Sequence, residues 1–256
     1  MRGSQPSTVQ TVLAPIVFGV AFILLWQGLV TGFAIEAFVL PAPFAIGLEF
    51  WDNLQNVANG MAVTGRNSLI GLLIGAVLGI ILAIVSALGR LFDEMAAPVV
   101  AALSVVPIVA LAPVLYTMFG AGAETARQLV AALAVFVPVY FNTLKGLRQV
   151  RPVHRDLMRA YAVTNWQATR AVTLPTALPF VFTGLRIASS LAVISALIAE
   201  YFGGPVGGLG KSITSAASSS NYGLAWAYVL GSIILGLAFY CAALSVEKLV
   251  TRRSGG

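Results

Sequence analysis

Six basic residues, Lys145, Arg148, Arg151, Arg155, Arg159 and Arg170, stand against the lone acid Asp156 in a chain where only 9% of residues are charged. Side chains of that kind hold anions or an acidic partner surface. A second candidate is Pro205-Val206-Gly207-Gly208-Leu209-Gly210-Lys211-Ser212, which ends like a loop whose backbone N–H groups cradle phosphate. Its first Gly is missing and an apolar helical run precedes it instead of a strand, so nucleotide binding is rejected. His154 is the one histidine and Cys241 the one cysteine, so the residues predict neither a metal site nor a disulfide framework. No paired catalytic carboxylates and no Ser/His/Asp set can be assembled, and no catalytic residue is expected in this chain. Two ionisable groups remain inside apolar stretches, where a charge costs about 2.5–3.5 kcal/mol at a helix centre on insertion scales. Arg186 is expected to snorkel or to bond carbonyls. Glu200 is read either as a working acid or as a solvated one at the interface.

The elements that must position these residues are membrane helices. Apolar residues make up 59% of the chain, far outside the range of soluble domains. About 20 helical residues cross roughly 30 Å of hydrocarbon, and such stretches lie near 12–30, 67–88, 96–119, 125–144, 177–199 and 223–246. The reading is an all-α integral membrane protein of about six transmembrane helices in one domain, 1–256. A β-barrel would need short alternating segments, and these runs are apolar on every side. The first run is longer than a secretory signal's core and no small-residue cleavage site follows, so it is expected to be retained.

Lys and Arg sort by face. Arg2, Arg90, Lys145, Arg148, Arg151, Arg155, Arg159, Arg170, Arg186, Lys248, Arg252 and Arg253 fall on one side, against Arg66, Arg127 and Lys211 on the other. That asymmetry predicts both termini in the cytoplasm and explains the net charge of +6 without nucleic acid. The opposite face holds residues 31–65, acidic through Glu36, Glu49 and Asp52, where apolar residues from 44 to 57 recur at helical spacing. Gly71, Gly75 and Gly79 share one helical face and predict close helix contact, either within a subunit or between two. Pro107 and Pro113 are expected to weaken the third span. In the basic loop, 145–176, Pro152 opens a helix whose Leu157, Met158 and Tyr161 form an apolar ridge, and Leu174-Pro175 is the next break.

Asp156-Leu157-Met158, Ala162, Trp166-Gln167 and Leu174-Pro175 resemble the cytoplasmic loop of binding-protein-dependent ABC importer permeases, usually Glu-Ala-Ala, three residues, Gly and a later Leu-Pro. The resemblance extends to Leu40-Pro41-Ala42-Pro43, Val106-Pro107, Phe136-Val137-Pro138-Val139-Tyr140 with Asn142-Thr143, and Gly184-Leu185-Arg186. It is nearest the nitrate, sulfonate and taurine group, with the importers of pyrimidine thiamine precursors and riboflavin. The resemblance implies a type I ABC importer permease fold with a cytoplasmic coupling helix. Asp156, Leu157, Met158, Ala160, Tyr161, Ala162, Thr164, Leu174 and Pro175 would then meet an ATPase.

The family works as a permease dimer, here expected to be a homodimer, with two cytoplasmic ATPases that bind ATP and Mg and an extracytoplasmic substrate-binding protein. The setting is the bacterial inner membrane. The pathway would involve Tyr116, Ser189, Ser190, Ser195 and Glu200, with Glu200 touching the binding protein or shaping an outer gate. The solute would be an aromatic heterocycle, such as a pyrimidine thiamine precursor or riboflavin, or a small oxyanion, such as sulfonate, taurine or nitrate. Ala162 departs from the family's Gly, and because Ala disfavours positive φ the turn is expected to be reshaped or the helix to run on. A freestanding carrier or channel and a membrane enzyme are the alternatives. The carrier would work without ATP and would show buried charges along a relay.

Overall fold

The computed structural model describes residues 8–203 and 207–254, with side chains for 13–154, 156–203 and 207–251. Arg2, Gly204, Pro205 and Val206, and the side chains of Arg155, Arg252 and Arg253, lie outside the described residues.

Hydrocarbon offers the backbone no partners, so each apolar run closes its N–H and C=O groups on itself. The elements are α1 (Thr8–Gly32), α2 (Pro43–Asp52), α3 (Leu54–Leu88), α4 (Arg90–Val105), a 3-10 turn (Ile108–Leu111), α5 (Ala112–Phe119), α6 (Thr125–Arg148), α7 (Pro152–Ala160), α8 (Asn165–Ala168), a π turn (Thr169–Thr173), α9 (Leu174–Phe202), α10 (Leu209–Ser218) and α11 (Tyr222–Ser254). Among the described residues, five helices are long and apolar enough to cross a membrane, or six if a bent pair counts as one span. That pair is the segment expected near 96–119. It bends by 84° between α4 and the 3-10 turn with α5. The two prolines act differently there. Pro107 sits in the break, whereas Pro113 lies in the first turn of α5, where its missing N–H has no helical partner to lose.

The centre of the bundle is α3, α6 and α9. Gly71, Gly75 and Gly79 all face α6: a Cβ on Gly71 would stand 2.5 Å from that of Ala131, and one on Gly79 would stand 2.9 Å from the Phe136 carbonyl. Gly75 has less room still against the Ala132 carbonyl. The stripe is therefore packing within the subunit, which decides between the two readings its spacing allowed. Gly146 and Gly184 do the same between α6 and α9, against Ala177 and Phe180 in one case and Asn142 and Pro138 in the other.

α11 packs on α9 and α10 through Val193, Leu209, Ala216, Ala225, Tyr228 and Leu235. α1 is peripheral, held where Trp26 meets Trp226 edge-on at 5.9 Å and where the Phe44 N–H donates to Gln27 Oε1 at 3.0 Å. Phe18, Leu24, Leu73, Val77, Ile233 and Leu237 remain exposed on the flanks, the surface a lipid-facing bundle presents.

Candidate functional site

The two ends of the bundle carry different constructions. At the end where α6 stops and α9 starts, α7 and α8 form a helix-turn-helix. Pro152 occupies the first turn of α7. Its exit is a Schellman motif: the Val163 N–H donates to the Met158 carbonyl at 3.3 Å and the Ala162 N–H to the Arg159 carbonyl at 2.9 Å, with Ala162 at φ +48°. The expectation that Ala162 would reshape the turn or let the helix run on is thus corrected. The tight turn is kept and Ala takes the left-handed conformation, at a cost of about 1–2 kcal/mol.

α8 follows through a capping box, with the Gln167 N–H donating to Thr164 Oγ1 at 3.3 Å and the Thr164 N–H to Gln167 Oε1 at 2.8 Å. Thr164 therefore holds the turn while remaining exposed. Leu174-Pro175 is no break either. The chain is helical from Asn165 to Phe202 over 38 residues, with Pro175 in the first turn of α9 after the π turn. The wider i→i+5 turn lets the helix absorb a residue that has no N–H and whose ring would crowd the carbonyl four residues earlier.

The ridge is real but shifted. Val153 (72% exposed), Leu157 (47%) and Tyr161 (72%) follow one another at i, i+4 spacing, and Trp166 (69%) extends the surface across the turn. Asp156 and Ala160 are exposed beside them. Met158 instead turns inward, lining a cavity of about 220 Å³ with Leu147, Val150, His154, Val163 and Val172. The arrangement offers a rigid, capped and outward-facing apolar patch amid positive charge. For Ala162→Val, a β-branched residue at positive φ, we expect a loss of about 2 kcal/mol of local stability. Faster protease cleavage at residues 160–164 is the readout, and Ala162→Gly should cleave no faster than the parent.

At the opposite end, Tyr116 and Glu200 are brought together in a buried cluster. Glu200 is fully buried, so its reading as a solvated acid is overturned. Its carboxylate accepts from Thr64 Oγ1 at 2.9 and 3.0 Å and from the Gly210 N–H at 2.9 Å, and Thr64 Oγ1 in turn accepts from the Leu209 N–H at 2.9 Å. The first turn of α10 is thereby capped by side chains of α3 and α9, which satisfy two of its otherwise unpartnered N–H groups. The Gly-rich segment does cradle a carboxyl group, but the group is the chain's own. A Cβ on Gly208 would lie 2.5 Å from the Glu200 carboxylate, and one on Gly203 would lie 2.6 Å from the Tyr116 hydroxyl.

Arg127, counted among the three cations of the opposite face, is fully buried in the same cluster. Its Nε donates to Tyr116 Oη at 3.1 Å and its guanidinium to the Gly207 carbonyl at 3.2 Å, while Tyr116 donates to the Ala199 carbonyl at 3.2 Å. Arg66 pairs with Glu124 at the same end.

The three serines are not gathered with these. Ser189 is buried and donates to the Arg186 carbonyl at 2.7 Å, Ser195 is buried, and Ser190 lines an apolar groove between α9 and α11. Arg186 neither snorkels alone nor rests on carbonyls. It lies 3.2 Å from Glu247 of α11, which also accepts from Thr183 Oγ1 at 2.8 Å. Glu247 and Arg127 are partners of the singled-out residues Arg186 and Tyr116 that the sequence alone did not pair with them. Each partner is distant along the chain, Glu247 from Arg186 and the Gly207 carbonyl from Arg127, so no local pattern pairs them.

Residues 75–254 match the model of the family described as binding-protein-dependent transport system inner membrane component. The chain is 36% identical over 232 residues to a riboflavin transport system permease protein of Chloroflexus aurantiacus, covering 90% of this chain and 86% of that one. It is 28% identical over 192 residues to a formylaminopyrimidine transport permease protein of Halalkalibacterium halodurans, covering 75% and 76%. The crystal structure of an amino acid ABC transporter with histidines superposes with a TM-score of 0.65 at 16% identity, over 80% of this chain and 97% of that one, a likeness of fold.

Proposed function

We propose a function from one premise: this chain belongs to the family of binding-protein-dependent transport system inner membrane components. It is the membrane-spanning permease subunit of an ABC importer, a multi-pass inner membrane protein that works with an ATPase and a substrate-binding protein. Permease subunits of this family are not themselves catalytic. The freestanding carrier or channel has no support beside that membership.

The finer reading rests on the patch of Val153, Leu157, Tyr161 and Trp166. That patch, with Asp156 beside it, is the surface that enters a groove on the ATPase, and its capped turns make it stiff enough to transmit a push. Leu174 and Pro175 serve as the root of that element. The excess of Lys and Arg at this end supports a cytoplasmic position for it and for both termini. The transporter is a homodimer of this chain with two ATPases, which bind ATP and Mg, and an extracytoplasmic binding protein docked at the glycine end.

The solute is an aromatic heterocycle of the riboflavin or aminopyrimidine kind. The riboflavin permease likeness over nine tenths of the chain supports this. So does the engagement of the cations inside the spans: Arg127 faces a hydroxyl and a carbonyl, and Arg186 faces a carboxylate, so neither is presented to an oxyanion.

The test is copurification of the permease with its ATPase in nanodiscs, with uptake of riboflavin, formylaminopyrimidine and taurine into proteoliposomes. For the double change Asp156→Arg, Leu157→Asp we expect normal insertion and at least about a hundredfold weaker ATPase retention, the loss that a charge in a desolvated hot spot produces. Full retention by that variant would remove the coupling reading, and uptake of taurine alone would remove the heterocycle.

A further inference from the structure

We propose that the Arg148–Asp93 pair is a strut through which the loop at 145–176 drives the broken span, making both residues positioning residues for transport. The inference rests on the reading of that loop as the ATPase contact. α7 stands over the end of α6 across the cavity lined by Leu147 and Val150. Arg148, between those two, reaches Asp93 in the first turn of α4 at 2.7 Å. Asp93 is well placed to hold it, since an acid in the first turn is favoured by the helix dipole.

α4 is otherwise lightly held. Ala96 and Val100 are its buried residues, and Val100 packs with Ala83, Tyr140 and Leu144 of α3 and α6. Leu91, Phe92, Met95, Val99 and Val105 are exposed. Beyond Val106-Pro107 the chain turns by 84° into α5, whose Ala112 and Tyr116 pack on Ala126, Val130 and Ala199 beside the Glu200 cluster. A helix gripped at one end, pivoted near Val100 and broken at the other end is a lever. Displacement of the α6 end pulls Asp93, and rotation about Val100 moves the break and α5 the opposite way. The side chains of Arg148 and Asp93 are 50% and 30% exposed, a setting in which an ion pair adds little to stability. Its effect is mechanical, because it ties the root of the loop to a span that is held to α3 and α6 by few buried residues.

The test uses the full complex with its ATPase and binding protein in nanodiscs, in a Cys241→Ser background with the reporter Met118→Cys on the exposed face of α5. Maleimide labelling is followed without nucleotide and after trapping with ATP and vanadate, a readout that needs no knowledge of the solute. The parent rate is expected to change about fivefold or more on trapping, and that of Arg148→Ala less than about twofold, the scale of coupling that network residues carry. Exchanging the charges, Arg148→Asp with Asp93→Arg, should restore the change. If Arg148→Ala fails to assemble, Asp93→Asn, which keeps the side-chain shape, carries the same expectation. Equal changes in parent and variant, no restoration on exchange, or no change in the parent would each overturn the strut. Retention of the ATPase by Leu157→Asp, read by pull-down, would instead remove the loop reading, so the two failures are distinguishable.

Discussion

Gly75→Ala is expected to cost on the order of 3 kcal/mol, the upper end for overpacking, and to leave little permease that survives detergent extraction as a single species. The reason is where α3 meets α6. A methyl at Gly75 would be driven into the Ala132 carbonyl and would stand 2.8 Å from Val135 Cβ. Both belong to helix backbone or its first side-chain carbon, so no rotamer change relieves the clash, and the helices must separate along the Gly71-Gly75-Gly79 seam. In lipid that separation is costly because close packing, more than hydrophobic burial, holds spans together. Gly236→Ala is the control, since nothing lies within 4 Å of its added Cβ. Thermal unfolding of the two purified variants, followed by size-exclusion chromatography, checks the prediction. A Gly75→Ala protein as stable as Gly236→Ala would mean that the seam is looser than its geometry.

Glu200→Ala should destabilise the glycine end by about 3 kcal/mol, and Glu200→Gln by only about 1. Removing the carboxylate leaves the Gly210 N–H and the Thr64 hydroxyl without their acceptor and opens a void under Gly208. The amide of Gln keeps an acceptor for both donors and fills the space under Gly208. Hydrogen exchange at the Leu209 and Gly210 amides should accelerate about a hundredfold in the Ala variant, the equivalent of that loss, and far less in Gln. Equal protection in all three proteins would show that α10 is held by its contacts with α11 alone.

Period and composition were sufficient for the membrane class and the all-helical architecture, and the family followed from the resemblance of particular motifs, because each is written in local patterns that survive without a fold. Apolar runs of span length, a Pro opening a helix and the sorting of Lys and Arg all act over a few residues. The Thr164–Gln167 capping box is equally local, set by two residues three positions apart. Met158 and Tyr161 share a ridge by spacing, but which of them faces the cavity depends on the end of α6, which spacing does not contain.

The sequence by itself determined that this chain is a helical membrane protein with one strongly basic loop, because the bilayer forces each apolar run to satisfy its own backbone, and its motifs carried the resemblance to the permeases. Only the tertiary structure decided what the charges do. Arg127 donates to the Gly207 carbonyl 80 positions later, Glu200 accepts from Thr64 and Gly210, and Arg186 finds Glu247. The physical reason is that a charge in an apolar medium is stable only beside a partner. Which residue becomes that partner is fixed by how closely the helices approach one another, at glycines whose spacing announces contact without saying with what.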